Sequence, residues 1–271
     1  MPELPEVETT RRGILPHLTR KTLTSVEIRQ SKLRYPIDII NIMQLIDETL
    51  VAINRRAKYI LLHFAHQSLI IHLGMSGSLR LVSPECDWRK HDHWQLTFGH
   101  QALRYHDPRR FGFLLITETP HTHPLIAKLG VEPLSSDFNP HYLFDLCQRR
   151  SSAIKTVLMN QQFVVGIGNI YACEALFQAK IHPQQSAKSL TLAQIEVLYH
   201  AITDQLSQSI RQGGSTLKDF VNPDGNPGYF AQKLAVYGRE GQACPRCQTK
   251  IETVKITGRN SFFCPNCQLL D

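Results

Sequence analysis

Hydrophobic and polar positions follow two different periods along this chain. Up to about residue 120, short strand-like runs recur at 23–29, 59–64, 69–73, 78–82, 94–98, 102–106 and 111–117. Turn signals separate them: Gly74-Met75-Ser76-Gly77, Gly99-His100 and Asp107-Pro108. Short strands at this spacing predict a β-sandwich or barrel-like half. One helix precedes them over 5–18, with Val7, Ile14 and Leu18 approximating an apolar face. Its acidic residues, Glu6 and Glu8, come early and Arg11 and Arg12 later, the order that suits the helix dipole. Pro16 leaves its end ragged.

From about Pro124 the period becomes helical. Leu192, Ile195, Leu198, Ile202, Leu206 and Ile210 form one stripe, opened by a Thr191/Gln194 capping box and closed by Gly213-Gly214. Further helices are expected over 142–147, 153–159 and 170–179. The segment Thr119-Pro120-His121-Thr122-His123-Pro124 reads as a hinge, with its histidines as linker residues. The fold class is therefore α+β, and 271 residues are enough for two domains, each with its own core.

Composition narrows the class. Hydrophobic residues make up 42%, as in a soluble globular protein, and no apolar run approaches bilayer-spanning length. The start has neither the basic nor the apolar region of a secretory signal, so a cytosolic protein is expected, with no membrane partner. Thirty Lys and Arg against 23 Asp and Glu give a net charge of +7, which suits a polyanionic partner.

Of seven cysteines, four are grouped: Cys244, Cys247, Cys264 and Cys267 form two C-x2-C pairs sixteen residues apart. Two such knuckles can present four thiolates to one zinc ion, and four protein ligands leave no open position, so the metal is expected to be structural. Between the knuckles, 251–257 alternates like a strand, Gly258-Arg259-Asn260 reads as a turn and 261–263 returns, a zinc-pinned hairpin with Arg259 at its tip. An arginine there can probe phosphate or a DNA groove, although by position alone it reads as a solvated charge. Cys86, Cys147 and Cys173 are isolated and read as ordinary residues.

The chain begins Met1-Pro2-Glu3-Leu4-Pro5-Glu6. Trimming one methionine leaves a secondary amine with carboxylates beside it, a nucleophile able to form an iminium with a sugar carbon. Alone, the motif is equally explained by Pro2 favouring methionine removal and Pro5 opening a helix. Gly166-Ile167-Gly168-Asn169 ahead of a helix can admit an anion to backbone N–H groups, or Asn169 can simply cap the helix. The glycine- and proline-bearing stretch 213–237 is a functional lid or merely a long loop.

Several motifs in order along the whole chain resemble bacterial formamidopyrimidine-DNA glycosylases. They are the opening 1–9, Arg55-Arg56-Ala57-Lys58-Tyr59, His72-Leu73-Gly74-Met75-Ser76-Gly77, Asp107-Pro108-Arg109-Arg110-Phe111-Gly112, Gly166-Ile167-Gly168-Asn169-Ile170-Tyr171 and the four cysteines. The resemblance implies a monomeric base excision repair enzyme of the bacterial cytoplasm, associated with the nucleoid. It would remove oxidised purines such as 8-oxoguanine and formamidopyrimidines from duplex DNA and then nick the strand. It also implies an N-terminal catalytic β-sandwich over 1–120, a helix-two-turn-helix domain with a base-capping loop over 121–236 and a zinc finger over 237–271, with DNA in the cleft between the halves.

Residue by residue, the resemblance makes Pro2 the nucleophile and Glu3 the proton donor and acceptor, with Glu6 orienting the site. Lys58 supports the chemistry, and Arg259 grips phosphate and serves the second elimination. Met75, Arg109 and Phe111 would fill the space left by an extruded nucleotide, although an apolar Met75 or Phe111 alone suggests core packing. His91, Arg110, Arg150, Lys155 and Asn169 would contact phosphate or strand, with Arg149 an alternative to Arg150. Ser215, Thr216 and Lys218 fall in the loop that would close over the base. Two rivals differ in class: an endonuclease VIII-like enzyme for oxidised pyrimidines, which Leu4 and the filling trio disfavour, and a zinc-ribbon DNA-binding protein without catalysis.

Overall fold

The computed structural model describes residues 2–213 and 234–270; Met1 and most of the proposed base-capping loop, including Ser215, Thr216 and Lys218, lie outside the described residues. The chain forms two compact units. The first runs to Lys128, and the second joins Leu129–Arg211 to the C-terminal part of the chain. No helix among the described residues is long and apolar enough to cross a membrane.

The first unit opens with helix α1 (Leu4–Leu18). Two antiparallel four-stranded sheets follow. One has the order β1 (Ser25–Ile28), β6 (Asp92–Phe98), β7 (Gln101–His106), β5 (Ser78–Val82). The other has β2 (Ala52–Arg56), β3 (Tyr59–His63), β4 (Ser68–His72), β8 (Phe113–Thr117). Two short helices, α2 (Ile39–Met43) and α3 (Pro124–Ala127), complete it. Val7, Ile14 and Leu18 of α1 pack with Ile60, Leu62, Ile71, Trp94, Leu96 and Tyr105 in one continuous core. This is the sandwich that the alternation implies.

Two local differences have clear causes. Strand β2 is not legible in the sequence because its residues, Ala-Ile-Asn-Arg-Arg, carry one buried apolar side chain; it is held by register, Arg56 facing Tyr59 across a two-residue turn. Strand β8 begins at Phe113 and not at Phe111, because Gly112 N–H is drawn aside to the Asp107 carboxylate (2.9 Å).

The second unit contains α4 (Pro140–Gln148), α5 (Ile154–Leu158), α6 (Asn169–Gln178) and α7 (Leu192–Arg211). The expected capping box opens α7: Gln194 N–H donates to Thr191 Oγ1 (3.3 Å), and Thr191 N–H donates to Gln194 Oε1 (2.9 Å). A hairpin of β9 (Glu252–Ile256) and β10 (Arg259–Phe263) lies near the C-terminus. Its turn is Thr257-Gly258, both left-handed (φ +45° and +78°), as a two-residue hairpin requires. Arg259 is thus the first residue of the returning strand, opposite Ile256, and not the turn tip.

Helix α6 is tied at two places to the C-terminal part of the chain. At its C-terminus, Arg246 donates to the carbonyls of Phe177 (3.0 Å) and Gln178 (3.3 Å) and stacks on the Phe177 ring. In its middle, the buried Glu174 carboxylate accepts the backbone N–H groups of Ala235, Val236 and Tyr237 at 2.8–2.9 Å. Replacing a carboxylate that satisfies three donors, one buried and two part-buried, strands at least one of them. Glu174→Gln is therefore expected to destabilise the second unit by about 2–3 kcal/mol, read as a lower unfolding temperature in calorimetry and faster amide exchange at 235–237.

Candidate active site and nucleic-acid interface

In the first unit, α1 presents the start of the chain. Pro2 is buried, and Glu3 and Glu6 are 1% and 0% exposed. Glu3 stands at the helix N-cap, and its N–H donates to Glu6 Oε2 at 2.8 Å. A chain terminus ordinarily frays. Here burial and the reciprocal Glu3/Glu6 capping box fix the first two residues after Met1, with Glu3 next to Pro2 in the chain.

Lys58 occupies the two-residue turn between β2 and β3 and is 8% exposed. It is close enough to His72 for its charge to act on the imidazole. Burial, then the charges of Lys58 and Arg34, push the His72 ring down to about 4, so the ring is neutral at pH 7. His72 Nδ1 accepts Gly74 N–H at 3.0 Å, which places the ring proton on Nε2. Tyr59 and Phe113 flank the ring. His72 thus offers one fixed donor in the company of Lys58. Sequence reasoning does not single it out, although it opens the His72-Leu73-Gly74-Met75 motif; a histidine beside a tight glycine turn is the available signal.

Met75, Arg109 and Phe111 come together on two apposed loops. Met75 and Phe111 are 38% and 46% exposed, among the few large apolar side chains left open. Arg109 extends its guanidinium over the Phe111 ring at 5.1 Å. The fully buried Asp107 carboxylate staples the loops. Oδ1 accepts from Ser76 Oγ (2.7 Å) and Arg109 N–H (3.2 Å), and Oδ2 from Tyr105 OH (3.0 Å) and Gly112 N–H (2.9 Å). The loops touch backbone to backbone: a Cβ on Gly74 would sit 2.3 Å from Gly112 N, and one on Gly112 would sit 1.7 Å from Tyr105 OH. Core packing is thus not the role of Met75 or Phe111.

His91 and Arg110 flank the same staple. Both are left-handed (φ +75° and +54°), an uncommon state for residues with a Cβ. His91 is held because its carbonyl accepts Asp107 N–H at 3.0 Å. Its ring also meets His106 edge-on, and His106 Nδ1 lies 2.9 Å from Asp92 Oδ1. Asp92 is itself paired with Arg80. Burial raises the Asp92 carboxyl, but hydrogen bonds from His106, Arg89 N–H and Arg80 outweigh it and hold it at about 2.

In the second unit, Lys155, Asn169 and the hairpin converge. Lys155 is 1% exposed, and its ammonium donates to Asn169 Oδ1 and Ser261 Oγ. Asn169 Nδ2 donates to the Asn260 carbonyl at 2.9 Å. Gly168, not Asn169, is the N-cap of α6, so the Asn169 side chain is not used for capping and turns to the hairpin. Arg259 is exposed next to Asn260. Arg150 is placed differently: its guanidinium stacks on Phe163 (3.9 Å) and donates to the Leu146 carbonyl at the end of α4, whereas Arg149 is exposed.

The four cysteine Sγ atoms all lie within 4.8 Å of one another. Thiolates on a zinc ion at about 2.3 Å stand roughly 3.8 Å apart, and the Cys244–Cys267 (4.0 Å), Cys247–Cys264 (3.4 Å) and Cys247–Cys267 (3.5 Å) Sγ separations are close to that. Arg246 N–H also points at Cys244 Sγ (3.4 Å), as it would to a thiolate ligand. The donors fit one structural zinc ion.

Sandwich, helical unit and four-cysteine hairpin together define the architecture of a DNA glycosylase. Three family models match in order: the formamidopyrimidine-DNA glycosylase N-terminal domain over residues 1–114, its H2TH domain over 129–221, and the zinc finger found in FPG and IleRS over 241–269. The chain is 53% identical to a formamidopyrimidine-DNA glycosylase of Legionella pneumophila strain Lens, over 99% of this chain and 98% of that protein. It is 51% identical to one from an Escherichia coli O6:H1 strain, over 99% and 100%. Among solved structures, it resembles Lactococcus lactis Fpg in complex with DNA containing N7-benzyl-Fapy-dG, with a TM-score of 0.91 at 33% identity, covering 99% of this chain and all of that one. It also resembles the MutM (Fpg) protein of Thermus thermophilus, with a TM-score of 0.89 at 36% identity over the whole of both chains. The chain belongs to the formamidopyrimidine-DNA glycosylase family.

The buried titratable groups give the first unit a pH signature. Glu8 and Asp92 are each held at about 2 and His72 at about 4, all below their unfolded values. At each, the folded chain binds fewer protons than the unfolded one in acid, so stability is lost as pH falls. The first unit's melting temperature is expected to drop in two stages: between about pH 6.5 and 4, chiefly from His72 with His63 and His93 adding to it, then from about 4.5 to 2 from the carboxylates. His72→Gln is expected to shrink the first stage and leave the second unchanged, the remainder of the first coming from His63 and His93, which burial also lowers, as melts across pH 2–7 would show.

Proposed function

We infer that the protein is a base excision repair glycosylase that removes oxidised purines, including 8-oxoguanine and formamidopyrimidines, from duplex DNA and then cleaves the strand as an AP lyase. The observation that carries this reading is the buried chain start, with Pro2 beside Glu3 at the head of a capped helix. The reading divides the labour as catalytic sandwich over 1–120, DNA-binding helical domain with base-capping loop over 121–236 and zinc finger over 237–271. The protein works as a monomer in the bacterial cytoplasm, at the nucleoid.

The target base cannot be reached within the stack, so its nucleotide is extruded. Met75 and Phe111, apolar and exposed, enter the space left behind, and Arg109 meets the orphaned cytosine; such wedging costs a few kcal/mol. Pro2 nitrogen attacks C1′ while the C1′–N bond to the base breaks, and Glu3 exchanges the proton that opens the sugar ring. The product is an iminium joining Pro2 to C1′. It acidifies the C2′ proton; loss of that proton breaks the C3′–O bond, and a second elimination breaks the C5′–O bond.

Lys58 and the neutral His72 supply a charge and a fixed donor for the phosphate and sugar beside the reacting carbon. His91 and Arg110 hold the strand from the stapled loops. In the second unit, Asn169 and Arg259 take phosphate at the head of α6, with Lys155 beneath them, and Arg150 or Arg149 provides a further contact. Arg259 also assists the second elimination. Zinc holds the hairpin in shape and takes no part in the chemistry.

Borohydride reduction on duplex containing 8-oxoguanine separates this reading from passive DNA binding. The mature protein is expected to give a covalent adduct that mass spectrometry places on Pro2. Pro2→Gly should lower adduct yield and incision by two orders of magnitude or more, a scale consistent with loss of a nucleophile. Salt-sensitive binding with no adduct and no incision in the wild type would instead establish a non-catalytic DNA-binding protein.

A further inference from the structure

Two residues from the resembling motifs, Glu8 and Arg55, have no part in the chemistry above, yet they join its two halves. Pro2 is placed by α1, and Lys58 by the turn between β2 and β3. Glu8, on the second turn of α1, is buried and accepts four N–H bonds from three arginines. Arg11 Nε (3.0 Å) and Arg55 Nε (3.1 Å) reach Oε2; Arg11 Nη2 (2.8 Å) and Arg12 Nε (2.7 Å) reach Oε1. Two of those arginines continue to the β2 edge. Arg55 Nη1 donates to the Ala57 carbonyl at 2.9 Å, and Arg11 Nη1 to the Ile53 carbonyl at 3.3 Å.

The Ala57 contact matters most. Ala57 is left-handed (φ +52°) immediately before Lys58, a conformation that costs a residue with a Cβ and persists only where its surroundings fix it. Arg55 grips that residue's carbonyl with one nitrogen and the α1 carboxylate with another. Its side chain is 13% exposed and that of Glu8 10%. Burial raises the Glu8 carboxyl, but the arginine bonds outweigh it and keep it ionised.

We propose that Glu8 and Arg55 are positioning residues: a carboxylate–guanidinium clamp that fixes the Lys58 turn against the helix carrying Pro2. The clamp touches no reacting atom. It sets where the Lys58 ammonium stands relative to the attacking amine, and a displacement of about 1 Å between such groups can slow a reaction roughly 100-fold. The proposal rests on the assignment of Pro2 and Lys58 given above.

The test measures the single-turnover rate of borohydride-trapped adduct formation at saturating enzyme on 8-oxoguanine duplex, alongside duplex Kd and melting temperature, for Glu8→Gln, Arg55→Lys, the double variant and Arg12→Ala. Glu8→Gln and Arg55→Lys are each expected to slow the reaction roughly 10- to 100-fold. Kd should stay within about threefold for both. Glu8→Gln adds net positive charge, so a merely electrostatic role would tighten binding and leave the rate intact. The double variant should be no slower than the slower single variant, because both break one clamp. Arg12, 57% exposed and gripping nothing on β2, is the control and should keep the wild-type rate. Should Glu8→Gln fail to fold, Arg55→Lys decides alone, since it keeps the charge but cannot span both partners. Unchanged rates at saturation in a folded variant, or additive losses in the double, overturn the clamp. Absence of any adduct in the wild type overturns the Pro2 assignment instead.

Discussion

The structure depends on holding a chain end still. The proposed nucleophile, the Pro2 amine, must be built from the segment of a protein that most readily frays. The sequence answers with a helix that starts at Leu4, so that Pro2 and Glu3 are its lead-in, with Leu4 buried and Val7, Ile14 and Leu18 packed in the sandwich core. Glu6 closes the first turn by accepting the Glu3 N–H. The same burial explains why the acidic side chains are not exposed, as helix-dipole logic alone would allow. They are committed, Glu6 to the backbone and Glu8 to arginines.

A second constraint is the exposure of apolar side chains on loops that must not collapse. Met75 and Phe111 would gain by folding inward, since apolar area removed from water is worth roughly 25 cal/mol per Å². They are kept out because the loops have no slack. Gly74 and Gly112 approach too closely for any side chain, and one carboxylate, Asp107, satisfies donors from Ser76, Tyr105, Arg109 and Gly112 together. Rigid presentation replaces packing as the reason these residues are where they are. It also makes the surface cost permanent, which is reasonable only for side chains whose partner arrives from outside.

Much of this is legible from residues alone. The change of period from two to 3.6, the capping box at Thr191 and the four-cysteine spacing each arise from local geometry, and each is present in the structure. What is not legible depends on contacts distant in sequence. Strand β2 has too few apolar side chains to register as a strand; its pairing with β3 makes it one. The neutrality of His72 comes from burial and from charges 14 and 38 residues away in sequence, Lys58 and Arg34. Glu174 looks like an ordinary helix carboxylate until residues 235–237 return to it. The hairpin turn falls one step earlier than its glycine suggests because Thr257, a β-branched residue, takes positive φ.

That shift belongs to a wider pattern. Among the described residues, eight are left-handed without being glycine; Ala57, His91, Arg110, Gln248 and Thr257 are proposed site residues or lie within two residues of one, whereas Arg20, Asp47 and Lys180 do not. Each such conformation is costly for a residue with a Cβ. Where contacts are described, the cost is met by specific restraints: Arg55 on the Ala57 carbonyl, and Asp107 N–H on the carbonyl of His91. At His91 and Arg110 the side chain is itself the proposed strand contact, so glycine would remove that contact together with the strain. At Ala57 and Thr257 the same reasoning acts one step removed. A turn stiffened by a Cβ and an external grip holds its neighbour more narrowly than a glycine turn could, because glycine enlarges the set of backbone states the turn can visit. On the proposed assignment, positional precision at Lys58 is thus obtained through strain in Ala57, and the Arg55 restraint on Ala57 belongs to the proposed site as much as the lysine does.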